Sequence, residues 1–361
     1  MKKTLLAVAI PAVLAAGNVN AFEAYSGDAG SVEVYGQLRA TLAKAPEKEL
    51  TLNDGSSRAG VNAQYSVTDD VDVFAKLEYS ISYDKDALEN RLGNFGFSGD
   101  FGKVILGKQY LTADDLWGVD NSYFYGGSHI PEGTISGGKH DSAVRYIFEN
   151  DAIYIDASYA LPEDKANAEV FELFGRVNVA GFDVTAGVSL AEQEHASFKV
   201  YEKDANGKVT DNVDYELQAG SLEDLYTSIW VERSFGDLNV GVQYAQSEIE
   251  SDVSDLKLDR QGYALALSYA LSEKSSVYGG YEVSEYDAKF TQESIDESGD
   301  ATNAYLGAVH KFNSFFRVYG EVALADGKTA GFTNNKNDWA VAPGSSADSE
   351  AFYAIGARVY W

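Results

Sequence analysis

"VDVFAKLEYSISY", residues 71–83, carries the pattern that decides the fold. Its odd positions are Val71, Val73, Ala75, Leu77, Tyr79, Ile81 and Tyr83; its even positions are Asp72, Phe74, Lys76, Glu78, Ser80 and Ser82. A period of two sends successive side chains to opposite faces of a strand, so this stretch has one apolar and one mostly polar face. The apolar face must meet either a second layer of protein or lipid, and one strand alone does not say which.

The same alternation recurs at 31–43, 57–67, 71–83, 91–99, 102–110, 141–149, 152–161, 169–179, 182–191, 225–235, 238–248, 259–271, 276–287, 302–312, 315–325 and 349–361. That is sixteen segments, an even number, each about long enough to cross a bilayer when tilted. Between them tight turns such as Asp100-Phe101, Ala180-Gly181 and Gly236-Asp237 alternate with long connections at 44–56, 84–90, 111–140, 162–168, 192–224, 249–258, 288–301 and 326–348. A membrane barrel has short turns at one mouth and long loops at the other, whereas a soluble sandwich has no physical reason for that rhythm. Nor does the chain offer helices to cover sixteen apolar faces. Lipid covers them, and closure removes unpaired edges.

The start of the chain agrees. In "MKKTLLAVAIPAVLAAGNVNA", residues 1–21, two lysines precede a short apolar run, and Val19-Asn20-Ala21 offers a small-residue cleavage site, the pattern of a secretory signal peptide. Residues 22–361 are then expected as one barrel domain. No cysteine is present, which excludes thiol nucleophiles and disulfides. With Lys2 and Lys3 set aside, 26 basic residues face 56 acidic ones, a formal charge of −30 that argues against nucleic acid as a partner. The histidines His129, His140, His195 and His310 lack metal-ligand spacing, and no G-x-S-x-G is present. The reading is a non-enzymatic chain without a cofactor.

Taken in order, "VEVYGQLRATL", "GKVILGKQYL", "DSAVRYIFEN" and the terminal "AIGARVYW" resemble the sixteen-stranded trimeric general porins of gammaproteobacteria, over essentially all of residues 22–361. The resemblance implies an all-β, antiparallel transmembrane barrel in the outer membrane of a Gram-negative bacterium. It implies a water-filled channel for ions and small hydrophilic solutes, a homotrimer, contact with outer-membrane lipid and lipopolysaccharide, and delivery by the barrel-assembly machinery. Gly356, Val359 and Trp361 match the terminal assembly signal, with Trp where the family usually ends in Phe.

It further implies that the third long loop, about 111–140, folds into the lumen and sets its carboxylates against basic residues of the wall. "Pro131-Glu132-Gly133" is similar to the family's loop turn and makes Glu132 the first candidate; Asp114, Asp115 and Asp120 lie on the same loop, where a solvated loop charge is the competing reading. The basic candidates are Arg39, Arg58, Lys108, Arg145 and Lys139. Parity places Arg39, Arg58 and Arg145 on polar faces but groups Lys108 with Val104 and Leu106, and Lys139 precedes its strand. For each, a snorkelling or loop-tip cation is the alternative. Net charge points to mild cation preference, although mouth charges are screened within roughly 8 Å at physiological salt. Two other functions stay open: a substrate-specific sugar or peptide channel, if Phe74, Tyr278, Phe315 and Tyr319 form an aromatic track, and an adhesin using loops 192–224 or 326–348.

Overall fold

A backbone ladder joins residues 37–44 to 353–360, so the first and last long strands pair and the sheet closes on itself. The structure is a computed structural model describing residues 22–27, 29–83, 88–116, 118–127, 135, 138–163, 168–195, 197–203, 209–291, 295–335 and 338–361. The leader at 1–21 and Glu132 lie outside the described residues.

In chain order the strands are β1 (Phe22–Gly27), β2 (Gly30–Lys44), β3 (Thr51–Asn53), β4 (Arg58–Thr68), β5 (Val71–Ser80), β6 (Glu89–Gly99), β7 (Gly102–Tyr110), β8 (Lys139–Glu149), β9 (Ile153–Ala160) and β10 (Glu169–Val179). They continue as β11 (Phe182–His195), β12 (Phe198–Lys203), β13 (Val209–Leu217), β14 (Gly220–Phe235), β15 (Leu238–Ser251), β16 (Lys257–Ser272), β17 (Ser275–Phe290), β18 (Ile295–Lys311), β19 (Phe316–Asn335) and β20 (Asp338–Tyr360). One short helix, α1 (Thr112–Leu116), follows β7. The wall runs β2, β4 to β11 and β14 to β20, each strand antiparallel to the next: sixteen strands, the number the alternation predicts. Outside that circuit, β1 and β3 lie along β2, and β12 and β13 form a separate hairpin within the long 192–224 connection.

Polarity divides as the pattern requires. Leu77, Phe95, Leu190, Leu306 and Ile355 stand exposed on the outer face, while Glu78, Arg145, Glu172, Glu282 and Glu321 are buried on the inner one. The inner wall also packs rings over glycines: a side chain at Gly356 would run into the Tyr319 ring, and one at Gly307 into Tyr278. At the tight β10–β11 turn both Ala180 (φ 53°) and Gly181 (φ 84°) adopt left-handed geometry, the hairpin form whose twist matches its strands.

Three details differ from the sequence reading. The opening strand stops at Ser80 rather than 83, and Tyr83 donates to the Asn53 carbonyl at 2.9 Å. The connections expected at 288–301 and 326–348 are largely strand, and so is half of that at 249–258, because β15 to β20 continue past the apolar band. There both faces contact water or loop, so the ladder persists without the polarity split that reveals a strand in sequence. Lastly, the upper inner face is not uniformly polar: Leu111 and Ile135 of the third loop join Val170, Leu222, Leu258 and Phe290 in a buried apolar cluster.

Leu306 is 62% exposed at mid-strand on the outer face. Leu306→Arg is expected to cost about 2–4 kcal/mol, as for a cation near the bilayer midplane. Reversible unfolding in lipid vesicles measures this, and Leu306→Ala, which shortens the same side chain without adding charge, serves as the comparison.

Candidate pore constriction

Over its described residues the third loop crosses the lumen and is tied down by inward side chains of the wall. At α1, Thr112 Oγ1 donates to Asp156 (2.9 Å), and the Ala113 amide donates to Glu172 Oε2 (2.7 Å). Further on, the Val119 amide donates to Gln243 Oε1 at 3.1 Å. Glu321 then receives the amides of Tyr123 (2.9 Å) and Tyr125 (2.6 Å) and the Tyr278 hydroxyl (2.8 Å). Glu282 takes the Gly127 amide at 2.5 Å, and the Asn303 amide nitrogen donates to the Tyr125 carbonyl at 2.9 Å. A loop has orphan amides that water would otherwise satisfy; buried carboxylates are the strongest acceptors the wall can offer them. The Tyr123 ring completes the seat, 4.8 Å from Tyr319 and 5.6 Å from Tyr278.

The loop carboxylates divide in role. Asp115 pairs with Arg145 at 2.9 Å and interacts electrostatically with Lys76 and Lys103. Asp114 lies against Gly138 and interacts with Lys139. Asp120 turns back on its own loop, accepting from the Ser122 amide (2.7 Å) and hydroxyl (3.0 Å) and from Tyr305 (3.2 Å). It folds the loop rather than presenting a free charge.

Among the basic candidates, Arg39 and Arg58 are half-buried on the inner face and sense each other's charge. Arg39 donates to Gln37 Oε1 (2.9 Å) and the Gly55 carbonyl (3.0 Å). Lys108 pairs with Asp141 at 2.8 Å and, with Arg91 and Lys139, lines a cavity of about 460 Å³. Its inward aim follows an irregularity that parity could not show: Gly107 has φ 107°, and the β7–β8 register shifts between Gly107 and Gln109. Lys139 lies over the Tyr110 ring, 5.2 Å from its centroid. Arg145 is held apart from the water path, 3% exposed and clamped by Asp156 at 2.8 and 2.5 Å. Its charge anchors α1.

Several residues escaped the sequence reading. Parity with Phe95 and Phe97 would point Arg91 to lipid, but a register shift beside Glu78 and Tyr79 turns it inward. There it pairs with Glu78 (3.0 Å) and donates to the Tyr110 hydroxyl (2.6 Å). An arginine at a lipid-facing parity position is costly, and that cost was the available signal. Glu172, Gln243, Glu282 and Glu321 carried none, since nothing local marks a wall acceptor whose partner is a loop amide 59 to 198 residues away. At the far end, the Trp361 backbone exchanges bonds with Gly36 (2.9 and 3.1 Å), Val359 faces outward and Gly356 lies under Tyr319.

Glu321→Gln places an amide NH₂ against loop N–H donors, and leaving such a donor unsatisfied costs about 1–3 kcal/mol. Single-channel recording is expected to show greater open-state noise and added subconductance levels, with the barrel still resistant to heat.

Comparison with known proteins places this architecture. The family model described as Gram-negative porin matches residues 4–330. The chain is 30% identical over 340 residues to Porin-like protein H of Photobacterium profundum, covering 90% of this chain and 95% of the relative. It is 27% identical over 305 residues to a Major outer membrane protein of Pasteurella multocida, covering 77% and 82%. Among solved structures, the trimer form of in-vitro folded OmpT, an outer membrane protein of Vibrio cholerae, superposes with TM-score 0.79 at 35% identity, covering 92% of this chain and all of that one. A closed sixteen-stranded wall, a loop fastened across its lumen and these relatives converge: the chain belongs to the Gram-negative porin family and is an integral outer-membrane protein.

Proposed function

We propose that the chain forms a general diffusion channel for ions and small hydrophilic solutes, acts without chemistry of its own, and assembles as a homotrimer. The observation that carries this is the seated third loop, which narrows the closed barrel to a passage bordered by charged groups rather than by a shaped pocket. Asp114 and Asp115 with Arg39, Arg58, Lys108 and Lys139 are proposed to border it, joined by Glu132; Asp120 and Arg145 hold it in place. Trimer formation is supported by the trimer form of the Vibrio cholerae relative and by exposed Leu38, Leu42, Ile355 and Val359 flanking the seam. Residues 1–21 are proposed as the export signal, and Gly356, Val359 and Trp361 as the mark read by the assembly machinery. Lipopolysaccharide would meet the outer rim.

A substrate-specific aromatic track is less well supported. Tyr278 and Tyr319 are each 4% exposed beneath Tyr123, so their faces are already occupied. Phe74 lies under Lys103, and Phe315 sits exposed in the turn before β19.

Purified protein in planar bilayers is expected to give ohmic conductance, and proteoliposomes are expected to swell at rates falling smoothly with sugar size. Saturable uptake of a single sugar would replace the general reading with a specific one. The carboxylate excess is expected to concentrate cations at the mouth and give a mild potassium preference in the reversal potential under a KCl gradient. Chloride preference would refute that part.

A further inference from the structure

On three adjacent strands the inner wall carries an arginine at the same ladder position. Arg317 of β19 lies opposite Arg358 of β20, which lies opposite Arg39 of β2. Arg58 follows on β4, two residues from the level of Arg39, and its charge also acts on Arg39. Like charges directly opposed across a sheet destabilise it. Three other arginines of the fold are relieved by carboxylates: Glu78 for Arg91, Asp156 and Asp115 for Arg145, Glu149 for Arg176. Among the described residues, no carboxylate comes within ion-pair distance of Arg39, Arg317 or Arg358.

Their acceptors are all neutral. Arg39 donates to Gln37 and the Gly55 carbonyl, Arg358 to the Tyr123 carbonyl at 3.2 Å, and Arg317 to the Tyr123 hydroxyl at 3.3 Å. Arg358 Nε is buried with no hydrogen-bond partner. Rings fix the planes of the guanidinium groups: Tyr123 lies 4.4 Å from Arg358, and Tyr360 4.5 Å from Arg317. All three side chains are half-buried, so a solute in the lumen can reach them. Stacked, preoriented guanidinium forks with unspent positive charge match the geometry of an oxyanion.

We propose that the Arg317–Arg358–Arg39 row is a binding subsite for phosphate dianions and the phosphoryl groups of small solutes in transit. This deepens the channel reading above and rests on it. The negative mouth and the positive row act at different depths, so cations are concentrated outside while a multivalent anion is held briefly within.

The test records potassium chloride currents through single channels while inorganic phosphate is titrated at pH 8, with sulfate as a second oxyanion. A saturable current reduction is expected in the native channel. The half-blocking phosphate concentration is expected to rise at least tenfold in R317Q/R358Q and less in R317K/R358K, which keeps the charge but loses the fork. Arg176→Gln, outside the row, is expected to block as the native channel does. If R317Q/R358Q fails to insert, the single variants R317Q and R358Q are read in its place. A native current that falls only linearly with phosphate, or an unchanged half-blocking concentration in the glutamine variants, overturns the proposal. A protein that inserts but conducts nothing refutes the channel reading instead.

Discussion

In hydrocarbon no water is available to the backbone, so every amide and carbonyl within the bilayer must find its partner in the chain. The rest of the structure follows from that constraint. It requires closure, and closure requires that β2 accept strands on both sides, β4 along one edge and β20 along the other. Beyond the end of β20 at Tyr360, the lower edge of β2 is taken up by β1, pairing at Gly30–Val34. Once closed, the wall has a defined interior, and strand parity decides which side chains enter it.

That interior must do two things with charge. It has to hold an irregular loop in place, and it has to leave some charge free to act on solutes. The wall separates these tasks by sign and by side. Carboxylates on β10, β17 and β19 are consumed by loop amides, and Asp156 on β9 is consumed by Arg145 and Thr112. Arg317 on β19, Arg358 on β20 and Arg39 on β2 keep neutral partners. A count of charges along the chain therefore misstates the field in the lumen. Several of the carboxylates that make the chain so acidic keep their charge but are buried against loop amides, and Asp156 is neutralised by Arg145.

The wall was legible in the sequence wherever lipid met one face and water the other, because that contrast writes itself as alternation. Thus the strand around Leu77 and the number of strands could be read, while the outer reaches of β17 to β20 could not. The position of the third loop was legible from its length and its setting between Tyr110 and Lys139. Its fastening was not. Glu172, Glu282 and Glu321 differ from other inward carboxylates only in what comes to meet them, a long-range property with no local mark. Arg91 and Lys108 were obscured for a different reason: each sits at a register irregularity, and a one-residue shift reverses the face that parity assigns. The arginine row also depends on register: Arg317 meets Arg358 through the β19–β20 ladder, and Arg39 joins them only when the seam pairs as it does.

That seam also sets the order of events during folding. All other wall ladders join strands close in sequence and can form as hairpins zip together. The β2–β20 ladder joins residues 37–44 to 353–360, so its loop-closure entropy is the largest in the molecule. Contacts of such separation form late and slowly. Until then, β2 and β20 each expose an open edge fit to pair with a neighbouring chain. The barrel is thus most prone to mispairing at its last step, and a catalyst of its assembly would gain most by guarding those two edges.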